Sequence, residues 1–207
     1  LFMIPAVPGV PYEVRGNGEM FPLNGPAWSL CFEYIGNILY AFIFRKLPNV
    51  VLAILTGAAA FCTLDLCLNL NVFGLLSEGR NYAIYTVIGG WSLAPEQIYI
   101  GFTRLLYPFL SGLLLSRIGK KITVKGGFWW CSLILVAIFS IPCVGGPDNI
   151  MNGVYNAACI LFLFPLVVMI GAGSQLKGEK SAKICTFLGE ISYPIYITHY
   201  PVLYMQM

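Results

Sequence analysis

Polar side chains recur at helical spacing within an apolar stretch near the start of the chain. Residues 24–46 read NGPAWSLCFEYIGNILYAFIFRK, and Ser29, Glu33 and Asn37 each lie one turn after the last, with Tyr40 close by. An ionised side chain inside a membrane-spanning helix costs roughly 2.5–3.5 kcal/mol to insert, so it usually faces other helices or water and has a function. The spacing predicts a membrane helix with one polar face, on which Glu33 is the candidate reactive group.

Two more ionisable residues lie inside later apolar stretches. Asp65 comes near the end of the next stretch, and Arg104 lies about two turns into the one after it. If these stretches cross the membrane in alternating directions, Glu33, Asp65 and Arg104 all fall in its outer part. We expect a polar pocket there, opening toward the loop around Trp91. The alternative is a structural pair between the arginine and a carboxylate that lets the helices pack.

The composition predicts the fold class. Hydrophobic residues make up 58% of the chain and charged residues 10%, whereas about a quarter of a soluble domain is charged. The apolar residues come in blocks near the length that a helix needs to cross a bilayer. We therefore predict an all-α protein, a polytopic bundle of transmembrane helices. The net charge of +3 lies in short clusters between the blocks, which does not indicate nucleic-acid binding. The seven cysteines form no CxxC pair, so no metal site is predicted.

The blocks predict about six spans in one partial membrane domain over residues 1–207, the last span truncated. We place the spans near residues 26–45, 49–71, 98–116, 127–144, 154–172 and 193–207. Residues 72–97 are predicted to be an extracytoplasmic loop with a short interfacial helix, anchored by Tyr82, Tyr85 and Trp91. Residues 184–191 are predicted to be a short surface helix, after which Pro194 opens the last span. The chain lacks an initiator methionine and ends inside an apolar run, so we expect it to be part of a longer protein.

Basic residues orient this bundle. The loops after the first, third and fifth predicted spans hold nine of them, and the other loops hold two. The nine are Arg45, Lys46, Arg117, Lys120, Lys121, Lys125, Lys177, Lys180 and Lys183, and the two are Arg15 and Arg80. Loops rich in lysine and arginine stay in the cytoplasm. We therefore expect an integral protein of the plasma (inner) membrane whose basic loops are cytoplasmic.

Three motifs resemble the acyltransferase 3 family. Residues 28–33 (WSLCFE) are similar to its W-S-L-x-x-E signature, and residues 101–112 (GFTRLLYPFLSG) to its pattern of Arg followed by F-x-x-G. Residues 188–201 (LGEISYPIYITHYP) are similar to its ending, L-G-x-x-S-Y-x-x-Y-x-x-H-x-P. The commoner signature has a second acid after the glutamate, where Tyr34 stands here. The motifs follow the family's order, and the resemblance covers roughly residues 22–207.

The resemblance implies a membrane enzyme that moves an acyl group, often acetyl, from acyl-CoA to a hydroxyl of a sugar, polysaccharide or lipid-linked glycan. It implies no bound cofactor, because acyl-CoA (acetyl-CoA in the common case) is the donor substrate; the bilayer and the glycan acceptor are the other partners. Arg104 would stabilise negative charge on the donor or the intermediate, and Glu33 would orient a base or hold a sugar hydroxyl. These two are the candidate catalytic residues.

The substrate-binding candidates are Trp28, Ser29, Asn37, Asp65, Trp91 and Tyr107. Trp28 and Trp91 could stack on a sugar ring, or could instead be aromatic anchors at the membrane interface. Tyr107 shares a helix face with Arg104.

His199 is the one histidine of the chain and a natural base near neutral pH. It falls about two turns into the last predicted span from the cytoplasmic side, away from Glu33, which favours a structural role for it, as for Ser192 and Tyr196. In the resembled family the histidine regarded as catalytic lies in the first membrane helix, before the W-S-L-x-x-E span, and no residue here matches it. The resemblance therefore implies that these residues alone are inactive as an acyltransferase.

Two other classes of function stay open. A secondary transporter would also bury Glu33, Asp65 and Arg104, and would use helices broken by glycine and proline. It would move its substrate into vesicles without covalent change. A non-catalytic membrane scaffold would keep its function in the Glu33→Gln and Arg104→Ala variants.

Overall fold

A computed structural model describes residues 4–6, 18–22, 24–77, 84–141, 145–146, 148–174 and 179–204. The helices within these ranges are α1 (Ala27–Phe42), α2 (Asn49–Leu68), α3 (Pro95–Ile118), α4 (Gly127–Ser140), α5 (Ile150–Ala158), α6 (Phe164–Gly173) and α7 (Glu179–Tyr204). A short 3-10 turn, Phe44–Lys46, follows α1, and a π-helical segment, Cys159–Leu163, joins α5 to α6 in one continuous helix. The described residues contain no β-sheet, only an isolated bridge between Glu19 and Ser92. The predicted all-helical architecture is confirmed.

Four stretches in the described part of the chain are long and apolar enough to cross a membrane. They are Ala27–Lys46, Asn49–Leu68, Pro95–Ile118 and Ile150–Gly173. They correspond to the first, second, third and fifth predicted spans. Helix α4, at the fourth predicted position, is apolar but has only 14 residues. The bundle is therefore of the membrane type that the composition predicted.

The C-terminal helix differs from the prediction. A surface helix at residues 184–191 and a separate span from Pro194 were expected, but α7 runs through both Pro194 and Pro201 without a break. A proline inside a helix supplies no N–H to the carbonyl four residues earlier. For Pro201 that carbonyl belongs to Ile197, and Asn24 Nδ2 donates to it at 3.0 Å. At Pro201 a side chain from outside the helix thus replaces the missing donor, which lets the helix continue there.

The loop between α2 and α3 is only partly described. Helix α2 ends at Leu68, where Asn69 takes a left-handed conformation with φ of 50°, and α3 already begins at Pro95. Residues 71–77 and 84–94 contain no helix. Of the three anchors predicted for an interfacial helix, Tyr85 and Trp91 lie in these non-helical residues, and Tyr82 lies outside the described residues.

Helices α1 and α3 meet at two glycines. A Cβ on Gly101 would overlap the ring of Phe32, which is 5% exposed, and a Cβ on Gly36 would lie 3.1 Å from a methyl group of Leu105. The bare backbone of Gly101 therefore forms the recess that holds the Phe32 ring. This contact fixes the position of α1 on α3, and with it the position of the neighbouring Glu33.

Helix α3 is tied to its neighbours at both ends. Near its start, Tyr99 donates to Asp65 Oδ2 of α2 at 2.6 Å. Near its end, the Arg117 guanidinium donates to the carbonyls of Phe44 at 2.6 Å and Leu47 at 2.5 Å. Those carbonyls belong to the turn after α1, where a cation is favourable because helix C-terminal carbonyls carry partial negative charge. Both ends of α3 are thereby held in register with α1 and α2.

Tyr107 supplies a hydrogen-bond donor that Pro165 cannot supply to the continuous α5–α6 helix. Pro165 supplies no N–H to the carbonyl of Leu161, and the Tyr107 hydroxyl donates to that carbonyl at 2.8 Å. The side chain is 8% exposed and packs in one apolar cluster with Leu52 and Leu110. Tyr107 therefore joins α3 to the continuous α5–α6 helix by a partly buried hydrogen bond.

We expect Gly101→Ala to destabilise the protein, because the added methyl group collides with the buried Phe32 ring. Overpacking of this kind costs about 1–3 kcal/mol in stability. Thermal unfolding of the purified protein in detergent measures the loss. Gly57→Ala is the matched control, since a Cβ at Gly57 of α2 meets nothing within 4 Å and alanine is the better helix former. Equal unfolding temperatures for the two variants would contradict the close α1–α3 contact.

We expect Tyr107→Phe to lower stability by about 1–3 kcal/mol, because it removes the hydroxyl that donates to the partly buried Leu161 carbonyl. The same unfolding measurement tests it. Tyr40→Phe is the control: Tyr40 is 40% exposed, and its hydroxyl makes no hydrogen bond within the described residues. The hydrogen bond is not important for stability if both phenylalanine variants unfold like the wild type.

Candidate active site

Arg104 lies near the middle of α3 and is held by neutral groups. Its Nη1 donates to the Gly89 carbonyl at 2.9 Å, and its guanidinium carbon lies 4.7 Å from the centre of the Trp28 ring. A cation over an indole face is attracted by the ring's negative charge distribution. Among the described residues no carboxylate pairs with Arg104, so the structural arginine–carboxylate pair considered above is not formed there. Its positive charge is left available for a ligand.

Two glycines bring the loop before α3 onto this arginine. Gly89 and Gly90 have φ of +137° and +104°, values that other residues rarely adopt. A Cβ on Gly90 would lie 2.6 Å from the Trp28 ring, and the Gly90 N–H donates to Gln97 Oε1 at 2.7 Å. The loop can therefore pass close to Trp28 and present the Gly89 carbonyl to Arg104.

A first cavity, here the polar cavity, lies between α1 and α3. Its volume is about 430 Å³. It is lined by Trp28, Ser29, Phe32, Glu33, Gly101, Arg104, Leu105, Pro108 and Phe109. The side chain of Glu33 is exposed to it. The fold thus brings both candidate catalytic residues, Glu33 and Arg104, to one cavity, together with Trp28 and Ser29.

A second cavity, here the apolar cavity, lies between α2, α3 and the continuous α5–α6 helix. Its volume is about 270 Å³. It is lined by Thr63, Leu66, Val87, Thr103, Arg104, Pro108, Ser111, Gly112, Leu115, Ile160, Phe164, Pro165 and Val168. Arg104 and Pro108 line both cavities. The guanidinium therefore lies at the boundary between a polar and an apolar space.

Helix α7 reaches the edge of the polar cavity through Tyr196. The Tyr196 hydroxyl donates to the Pro26 carbonyl at 2.9 Å, and its oxygen lies 2.5 Å from Ser29 Oγ. Sequence reasoning placed this part of the chain at the opposite end of the bundle from Glu33. That was wrong because α7 begins at Glu179 rather than at Pro194, so residues 196–199 lie beside the start of α1.

His199 and Ser192 bond within their own helix. His199 Nδ1 lies 3.1 Å from the Ile195 carbonyl, and the ring centre lies 5.8 Å from that of Tyr196. Ser192 Oγ donates to the Gly189 carbonyl at 2.7 Å. The structural role predicted for both residues stays a prediction, but His199 is no longer remote from the Glu33 helix.

Four of the substrate-binding candidates are not among the residues that line the polar cavity. They are Asn37, Asp65, Trp91 and Tyr107. Asp65 is 1% exposed, and besides the Tyr99 hydroxyl it accepts the Val72 N–H at 2.8 Å. Asn37 Nδ2 donates to the backbone carbonyl of Glu33 at 2.9 Å. A substrate-binding role for these residues stays a prediction, whereas the contacts of Asp65 and Tyr107 hold helices together.

Sequence reasoning missed four residues that shape the site. Phe32 and Gly101 set the α1–α3 contact, and Gly89 and Gly90 position the loop. The adjacent pair Gly89 and Gly90 is visible in the sequence, and two glycines together indicate unusual backbone angles in the loop. Nothing in the sequence indicated that Gly101 faces Phe32, because that contact joins helices far apart in the chain.

Comparison with known proteins identifies the family of the chain. A protein-family model described as an acyltransferase domain matches residues 2–206. No curated protein and no solved structure gives a significant match to the chain. The match extends over more than nine-tenths of the 207 residues and includes all the helices that form the two cavities. With its long apolar helices, the chain is an integral membrane protein, and it belongs to the acyltransferase 3 family.

Proposed function

We propose that the protein transfers an acyl group from acyl-CoA to a hydroxyl of a sugar, polysaccharide or lipid-linked glycan. The observation that carries this proposal is the position of Arg104. Its guanidinium has no carboxylate partner among the described residues and is exposed to two cavities, one of which also contains Glu33. Acyl transfer to a hydroxyl needs stabilisation of the oxyanion and a base for the proton; an available cation can supply the first, and a carboxylate beside it can orient the second.

In the proposed reaction the acceptor hydroxyl oxygen attacks the thioester carbonyl carbon. A tetrahedral intermediate forms, and its negative oxygen is stabilised by N–H groups of Arg104. Arginine carries five N–H donors, and the bond to Gly89 uses only one of them. The carbon–sulfur bond then breaks, CoA leaves as the thiol after taking the proton that the acceptor hydroxyl gave up to a base, and an ester of the acceptor remains. Preorganised donors of this kind are usually a large part of catalysis.

Glu33 has a separate role in this scheme. Its carboxylate in the polar cavity can accept a hydrogen bond from the acceptor hydroxyl, or can orient the base that takes the hydroxyl proton. Trp28 lies in the same cavity and is the tryptophan that we propose to contact a sugar ring. Trp91 is outside that lining, so we assign it no contact with the acceptor.

The proposed location follows from the charges. We propose that the basic loops face the cytoplasm and that the protein lies in the inner membrane, where it modifies surface polysaccharide. Described examples of these basic residues are Arg45 after α1 and Lys121 after α3. The two helix ends lie together because Arg117 of α3 donates to the Phe44 and Leu47 carbonyls. The tie between Arg117 and the turn after α1 supports that arrangement.

We expect Arg104→Gln to reduce turnover by about 10²–10³-fold, because it removes the charge that stabilises the developing oxyanion. Transfer of labelled acyl groups from acyl-CoA to membrane glycan measures it, with thermal unfolding as a check on folding. Arg45→Gln removes a charge from the exposed turn after α1 and is expected to keep wild-type turnover. Wild-type turnover in the Arg104→Gln protein would overturn the proposed role.

We expect Glu33→Gln to abolish most transfer while membrane expression stays normal, because the amide keeps the shape of the side chain but lacks the negative charge. Glu190→Gln, on the exposed surface of α7, is the matched control. Loss of the folded protein in the Glu33→Gln variant would indicate a structural role instead. Uptake of substrate into vesicles without covalent change would favour a transporter over an acyltransferase.

A further inference from the structure

The walls of the apolar cavity carry almost no available polar groups. Arg104 is the one charged residue among the described residues that line it. Two of its hydroxyl groups donate to their own helices: Thr63 to the Ala59 carbonyl at 3.0 Å and Ser111 to the Pro108 carbonyl at 3.1 Å. The rest of the surface is largely side-chain carbon. A ligand there would be apolar, with one polar end at the guanidinium.

The cavity is also long. Arg104 and Leu115 both line it, and they lie eleven residues apart on α3, which is roughly 16 Å along a helix. Its volume of about 270 Å³ is much more than one water molecule takes up, roughly 30 Å³. An acetyl group would leave most of this space empty, whereas a chain of several carbons would fill it.

From these features we propose that the apolar cavity binds the hydrocarbon chain of the acyl donor, with the thioester carbonyl at Arg104, and that it accepts chains longer than acetyl. This rests on the proposed function. In this arrangement the chain lies on the apolar side of Arg104. The sulfur and the attacking hydroxyl lie on the polar side, where Glu33 is. The boundary between the two cavities is therefore the point where the ester bond forms.

Gly112 provides a direct way to shorten the cavity. It lines the apolar cavity, and a Cβ at this position meets nothing within 4 Å, so a larger side chain enters empty space rather than a neighbour. Gly57 on α2 is the matched control. A Cβ there also meets nothing within 4 Å, but Gly57 is exposed and is not among the residues that line the cavity. Both changes to leucine improve helix propensity equally.

The test is the affinity of the purified full-length protein for acetyl-, butyryl-, hexanoyl- and octanoyl-CoA, measured by titration calorimetry. Burial of each methylene contributes up to about a fourfold decrease in Kd. We expect Kd to fall along the series for the wild type and for Gly57→Leu. For Gly112→Leu we expect the advantage of octanoyl over acetyl to shrink by about tenfold or more. Equal Kd values for all four donors in the wild type overturn the proposal. So does the same dependence of Kd on chain length in Gly112→Leu and Gly57→Leu.

The hydrocarbon chain of a membrane lipid has the same chemistry as the acyl chain of the donor and could fill the same cavity. Native mass spectrometry distinguishes a bound lipid from a bound donor. One outcome is a lipid that copurifies with Gly57→Leu but not with Gly112→Leu, while the Kd values for the four acyl-CoA donors are the same in both variants. That outcome would assign the cavity to lipid and overturn the donor assignment. The labelled transfer assay keeps the two proposals apart. Transfer without chain-length dependence of binding refutes only the cavity assignment, whereas chain-length dependence without transfer refutes only the proposed reaction.

Discussion

The site depends on one constraint, a guanidinium within a membrane-spanning helix that no described carboxylate neutralises. Such a charge is costly in apolar surroundings unless dipoles or ring faces stabilise it. Arg104 has both, a backbone carbonyl from Gly89 and the ring of Trp28. The carbonyl requires the two glycines of the loop, and the position of Trp28 requires α1 to lie close to α3 over Gly101. A carboxylate partner would stabilise the charge better but would leave less of it for a substrate.

The packing of the bundle follows a second constraint, that backbone carbonyls released by prolines need new donors in the absence of water. Pro165 and Pro201 each release one, and Tyr107 and Asn24 replace the missing N–H groups. These two bonds join segments that are distant in the chain: Tyr107 of α3 to the α5–α6 helix, and Asn24, just before α1, to α7. The second of them docks α7 beside the start of α1, which is why Tyr196 reaches Ser29. Prolines inside continuous helices thus contribute to the tertiary structure.

The positions of the site residues could be predicted from the sequence where they depend on a local pattern. Helical periodicity placed Ser29 and Glu33 on one face, and the depth of Arg104 in its span indicated the same region of the membrane. The course of α7 was not predictable, because a proline such as Pro194 can either open a helix or lie inside one, and the Asn24 donor that completes the helix at Pro201 is far away in the chain. For Asp65, its depth in the predicted span indicated the outer part of the membrane. Its hydrogen-bond partner could not be predicted, since Tyr99 lies on another helix. Patterns within a helix locate polar residues, and only the packing between helices shows which of them remain available.

A structure determined with a non-reactive ketone analogue of acyl-CoA, in which a methylene group replaces the thioester sulfur, would test the site most directly. The measured quantity is the distance from the Arg104 nitrogens to the oxygen that replaces the thioester carbonyl. We expect a hydrogen bond of about 2.7–3.0 Å, with the chain on the apolar side of Arg104 and Glu33 on the other. A bound analogue whose carbonyl lies elsewhere, with Arg104 paired to a carboxylate of the protein, would contradict the assignment of Arg104 to the reacting group.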